Sequence, residues 1–161
     1  MNGEPRTALA LLVLRFSGLA LALQHGWGKA SSLAAGEGQG FIDGVARLGF
    51  PAPAVFAWAA ALTELVGGTL ILLGLATRVA AGLAAVTMIV AAFLRHRFLS
   101  QVLVFLGAIE VPAETREAWG DPERALLFLF CLLPLVFLGG GRYSLDRALA
   151  ERSSRRGRLR R

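Results

Sequence analysis

The stretch TALALLVLRFSGLALALQHGW, residues 7–27, decides the fold. A spanning helix takes ~20 mostly apolar residues, and this run is long enough while carrying one formal charge, Arg15. A second stretch, AVFAWAAALTELVGGTLILLGL at 54–75, has the same character, again with one charge, Glu64. A charge at bilayer depth costs ~3 kcal/mol on insertion scales. It persists when it is paired, lines a cavity or takes part in chemistry.

Working outward, two further apolar runs follow at 79–94 and 123–138. The chain of 161 residues is 55% hydrophobic with mean hydropathy +0.59. These values exclude a soluble domain of ordinary composition and predict an all-α protein, a four-helix transmembrane bundle in the lipid bilayer. Arg15 interrupts what would be the apolar core of a leader peptide, so the first run reads as a retained span despite Arg6 before it and Ala20-Leu21-Ala22 within it.

The connections carry their own signals. Within 28–53, Phe41, Ile42, Val45 and Leu48 fall at helical spacing with Asp43 and Arg47 opposite, which predicts a short interfacial helix in the first loop. Pro51 and Pro53 end it. Ala76-Thr77-Arg78 is so short a link that the second and third spans form an antiparallel hairpin. Residues 98–111 are apolar but too short to cross, so they are expected to be re-entrant or interfacial. An acidic loop follows with Glu114, Glu117, Asp121 and Glu123. Asp121 and Pro122 open the fourth span, and Pro134 is expected to kink it. Ser144–Glu151 reads as a short surface helix. The membrane domain is then 1–150, and 151–161 is a basic tail.

Net charge is +6, and the last ten residues hold six arginines. Beside membrane spans this tail reads as an anchor at anionic headgroups, not as a nucleic-acid site. With four spans the termini share a side. Arg6, Arg78, Arg142, Arg147, Arg152 and the tail arginines lie on it, against Lys29, Arg47, Arg95, Arg97, Arg116 and Arg124 on the other. Both termini are therefore expected in the cytoplasm, with the protein in the inner or plasma membrane.

Arg15, Gly18, Ala22, His25 and Lys29 share one helical face, as do Ala60, Glu64, Gly67, Ile71, Gly74 and Arg78. Small residues on both faces let backbones approach closely. The two stripes predict an intramembrane polar network of Arg15, His25, Lys29, Glu64 and Arg78. Arg15 lies ~12 Å, Glu64 ~18 Å and His25 ~27 Å from the inner ends of their helices. Side chains lean toward their own N-termini, so Glu64 can face Arg15 or, more favourably placed, His25. Such a network is either a proton, anion or headgroup site or a satisfied structural tie. Trp27 and His96 are candidate outer-face contacts.

Other chemistry is thinly represented. A lone Cys131 excludes an internal disulfide and hence a self-contained thiol oxidase. Two span-end histidines, His25 and His96, lack any haem-attachment motif. No zinc cluster, nucleophile elbow, phosphate loop or dinucleotide fingerprint is present, so no metal is expected and catalytic residues are unknown.

Taken in order, Arg15 with the Gly26–Lys29 run, Leu48-Gly49-Phe50-Pro51, Glu64 with Gly67-Gly68, the 73–78 run LGLATR and the 141–146 run GRYSLD resemble the DoxX-like small membrane proteins. That resemblance implies a four-helix membrane bundle. It further implies a membrane subunit or accessory factor of a redox or sulfur system, or of an oxidative-stress complex, with quinone as the cofactor to look for and a soluble oxidoreductase or another membrane protein as partner. A carrier for a small solute or proton, and an assembly factor or scaffold, are the competing readings. Self-association into a homo-oligomer stays open.

Overall fold

A computed structural model of the chain describes residues 5–159, with side chains through Ser154. All regular structure among the described residues is helical. Helix α1 runs Pro5–Ala34, α2 Gln39–Arg47, α3 Pro53–Leu73, α4 Thr77–Arg95, α5 Phe98–Phe105, α6 Ala113–Trp119, α7 Glu123–Leu138 and α8 Leu145–Leu159. Helices α1, α3 and α4 are each long and apolar enough to cross a membrane. At 16 residues, α7 is shorter than these.

Several boundaries differ from expectation for identifiable reasons. Helix α1 continues past Trp27 to Ala34, because Gly28 meets no competing turn signal. Helix α3 stops at Leu73, since Gly74 takes a left-handed conformation with φ +71°. The acidic loop contains an unforeseen helix, α6, opened after Pro112 and closed by Gly120 at φ +67°. Asp121 does serve the start of α7, where the Glu123 amide donates to its carboxylate at 2.8 Å. Helix α8 extends beyond the expected Glu151. Of the basic tail, Arg160 and Arg161 lie outside the described residues, and so do the side chains of Arg155, Arg156 and Arg158.

Two interfaces organise the molecule. Helix α4 packs along α7, where a run of small residues (Ala80, Ala81, Ala84, Ala85, Ala92) faces Leu129, Leu132 and Leu135 in one buried cluster. Helices α1 and α3 touch backbone to backbone. A Cβ placed on Gly18 would run into the Gly68 carbonyl oxygen, and one placed on Gly26 would run into the Leu65 amide nitrogen. The expected partner, Gly67, turns instead toward α4, where a Cβ added to it would lie 3.8 Å from the Ala80 carbonyl oxygen. A wide π turn at Thr63–Gly67 adds a residue to the helix and so brings Gly68 onto α1.

Similar π turns occur at Leu21–Gly26 in α1 and Val90–Arg95 in α4. The α1 and α3 turns pack against each other. Such turns recur at functional sites in helices. Above them α2 lies across the ends of α1 and α3, with Val45 buried and Phe41 and Ile42 half-buried, while Asp43 and Arg47 are exposed as the pattern demands. Helix α5 buries none of its residues, and Phe105 is 88% exposed.

Candidate functional site

The charged residues of the two stripes separate into two centres. The first surrounds Arg15, which is 4% exposed. The last carbonyls of a helix have no intrahelical partner. At the end of α3 two of them meet this guanidinium: Nε donates to Ile71 at 3.1 Å and Nη2 to Leu72 at 2.5 Å. Nη1 donates to Tyr143 at 2.9 Å and to Gly140 at 3.5 Å. A cation here also complements the negative end of the α3 dipole.

Asp146 completes this centre. Its carboxylate accepts from the Ala76 amide at 2.7 Å and from the Thr77 amide and hydroxyl at 3.0 Å each, capping α4. The Asp146 amide donates to Gly74 at 2.9 Å. Burial would raise the carboxyl's pKa. The Thr77 and Ala76 amides, the Thr77 hydroxyl and the nearby Arg15 charge outweigh it and hold Asp146 below its ordinary value. Gly74 is required twice over: its φ is positive, and a Cβ there would sit 2.7 Å from Arg15 Cζ. The LGLATR and GRYSLD runs, some seventy residues apart in the chain, therefore form one latch closed by Arg15.

The second centre lies at the opposite ends of the same helices. Glu64 is 3% exposed and sits in the α3 π turn. Its partner is neither Arg15 nor His25. Lys29 Nζ donates to both Glu64 oxygens at 2.6 Å. Seven residues, ~10 Å of helix rise, separate Glu64 from Ile71 where Arg15 is held. The Lys29 ammonium also stands 5.2 Å from the Phe41 ring centroid, so α2 covers the pair.

His25 belongs to the same end but turns toward α7. Its ring meets Phe128 edge-on, with centroids 5.5 Å apart. It lines a groove of about 240 Å³ between α1 and α7, together with Ser17, Gln24, Arg124, Leu127, Phe128 and Cys131. Glu64, Lys29 and Arg124 lie within electrostatic reach of the imidazole. Three of the four polar groups in this groove, Ser17, Gln24 and Arg124, were not singled out from sequence. Ser17 and Gln24 sit on α1 with His25, at a spacing of seven residues that puts them on one helical face, whereas Arg124 joins them only through the packing of α7 on α1.

The remaining expected residues fall elsewhere. Arg78 is exposed, with its guanidine beside Gly139, and joins neither centre. Trp27 is exposed on α1. His96 Nδ1 lies 2.8 Å from the Trp119 carbonyl oxygen, and Gln101 donates to the His96 and Gly120 carbonyls at 2.8 and 2.9 Å, so this histidine ties α5 and α6 to the end of α4. Among the described residues, no group of three or more His, Cys, Asp or Glu side chains is placed to hold a metal ion.

Comparison with known proteins places this geometry in context. The DoxX family model matches residues 10–97, more than half of the chain, and this range includes Arg15, Lys29 and Glu64. An uncharacterized membrane protein of Mycobacterium tuberculosis is 40% identical over 111 residues. That alignment covers 67% of this chain and 64% of the relative, so less than two thirds of the relative's length is spanned. No solved structure matches.

Proposed function

The chain belongs to the DoxX family of membrane proteins, and from that premise we propose that it serves as a membrane-embedded accessory subunit of a quinone-linked redox or sulfur system, or of an oxidative-stress complex. In this reading it is a bundle of four spans, with α7 the fourth, residues 1–150 forming the membrane domain and both termini in the cytoplasm. The observation that carries the proposal is the groove between α1 and α7. At bilayer depth a polar-lined opening is costly unless used, and this one offers several different hydrogen-bonding side chains against an aromatic wall.

The donor set fits a quinone head. A quinone carbonyl needs a donor, and an imidazole N–H, the Gln24 amide and the Arg124 guanidinium line the groove, while the Ser17 hydroxyl already donates to the Leu14 carbonyl at 2.7 Å. The volume of about 240 Å³ suits one ring-sized head, not a whole large ligand. A bound quinone would supply two-electron, two-proton acceptance. The chain's own residues would orient the ring through Phe128, donate hydrogen bonds through His25 and Gln24, and keep the isoprenoid tail in lipid.

The test is affinity purification from native membrane, followed by partner identification and quinone extraction. A redox partner and retained quinone are expected, with retention falling at least tenfold in His25→Ala. Recovery of neither from well-folded protein refutes the proposal. The Lys29–Glu64 pair, with its carboxylate buried, favours a second reading, a proton or small-solute carrier. There Glu64→Gln abolishes flux in vesicles, and unchanged flux removes that reading.

A further inference from the structure

Tertiary structure gathers arginine at one end of the helix assembly. Arg78 opens α4 and stands beside Gly139. Arg142, Arg147 and Arg152 are exposed along the segment that leads into and through α8. The sequence then adds Arg155, Arg156, Arg158, Arg160 and Arg161. The acids of the same segment are engaged: Asp146 caps α4, and Glu151 accepts from Arg147 at 2.7 Å. Most of the remaining acids belong to the loops and helices at the other end, among them Glu37, Asp43, Glu110, Glu114, Glu117 and Asp121.

The root of α8 is fixed. The Arg15 bond to Tyr143 and the Asp146 bonds to Gly74, Ala76 and Thr77 hold it at the α3–α4 turn. Only residues 139–144 separate the end of α7 from α8. A helix of 15 residues reaches ~22 Å, so it cannot range far from the bilayer surface. Tyr143, Leu145 and Leu149 are exposed beside the arginines, at 54%, 43% and 52%. Exposed apolar side chains next to guanidinium groups are what a helix lying at a lipid headgroup layer presents.

We propose that this end of the protein docks α8 onto the headgroups of anionic phospholipids in the leaflet it borders. Guanidinium groups grip phosphate oxygens in pairs, and clusters of four to eight basic residues next to a span bind anionic lipid. Charge alone would also suit RNA. The anchored root favours lipid, since Arg142 and Arg147 flank the Asp146 bonds that tie it to the ends of α3 and α4. The proposal does not depend on what the groove binds.

The experiment uses the full chain in nanodiscs. With Cys131→Ser as background, Ser153→Cys carries an environment-sensitive fluorophore. Discs of phosphatidylcholine are compared with discs containing one third phosphatidylglycerol. The expected result is a blue-shifted emission, quenched by lipid-borne quencher, in the anionic discs alone and reversed by high salt. Combined Arg152→Gln, Arg155→Gln, Arg156→Gln and Arg158→Gln should lower the docked-to-free ratio by roughly fivefold per arginine with an unchanged thermal midpoint, since all four lie beyond the latch. Equal emission in both discs overturns the proposal, as does a lipid effect that survives the four replacements. Displacement of α8 from anionic discs by RNA at physiological salt overturns it in favour of a nucleic-acid partner.

Discussion

Replacing Gly26 by alanine should damage the protein, whereas the same change two residues on, at Gly28, should not. A Cβ on Gly26 would lie 2.6 Å from Leu65 Cα and 2.7 Å from the Glu64 carbonyl carbon. Carbon atoms settle at ~3.5–4.0 Å, so α1 and α3 must part by roughly 1 Å. Both neighbours are backbone and cannot rotate away. A gap of that size forfeits about a quarter to a half of each affected contact well. It would spread to Leu21, Ala22 and Ile71, all buried at or near this interface. Overpacking of this kind costs ~1–3 kcal/mol, and strain against rigid backbone belongs at the upper end. The alanine returns ~1 kcal/mol of helix propensity, leaving a net loss of ~1–2 kcal/mol.

At Gly28 no atom lies within 4 Å of the added Cβ, so only the propensity gain remains. The pair of variants should therefore differ by ~2–3 kcal/mol, or roughly 5–10 °C in Tm at the scaling for a chain of this size. Thermal unfolding in detergent, followed by tryptophan fluorescence, reads this directly. If Gly26→Ala proves at least as stable as Gly28→Ala, the backbone contact between α1 and α3 is wrong.

Three further predictions follow from the two centres. Arg15→Met leaves the ends of α3 and the 140–143 turn without their shared donor, so it should cost ~3 kcal/mol and open residues 139–146 to limited proteolysis; an unaltered digestion pattern counts against the latch. Asp146 has a depressed pKa, so its stabilising effect is complete above the ordinary carboxylate range near pH ~4 and lost as pH falls through the depressed value. Asp146→Asn should therefore flatten the acid limb of a stability-against-pH curve, and a limb of unchanged steepness would contradict that assignment. For Lys29 and Glu64, a cycle of Lys29→Met, Glu64→Gln and the double variant should show coupling of ~1–3 kcal/mol, kept moderate because Lys29 is 31% exposed; additive losses would show that the two side chains do not pair.

The apolar runs, the proline and glycine stops and the amphipathic pattern around Val45 were legible in the sequence because each is a local property. The glycine face of α1 was legible in part, since helical periodicity places Gly18 on the side that buries, but Gly26 lay outside that stripe. The register was not. A π turn arises when packing favours one extra residue per turn, and no residue type announces it. For that reason Gly68, not Gly67, meets Gly18.

The destinations of the charges were the least legible feature. Sequence stripes put Arg15, His25 and Lys29 on one face of α1 and suggested Arg15 or His25 for Glu64. In the folded chain Arg15 is taken by carbonyls as distant as Tyr143, which lie nearer to it than Glu64 does. Lys29 reaches Glu64 because α1 stays helical through Gly28. His25, lying within a π turn, faces Phe128.

The sequence by itself determined an all-helical membrane protein of the DoxX family, because apolar length and local stop signals are written residue by residue. Only the tertiary structure decided that its buried charges form a latch at one end and a covered ion pair at the other, with a groove beside the pair. A guanidinium or carboxylate in a membrane takes the nearest uncompensated partner in space, and nearness in space is settled by how the helices cross.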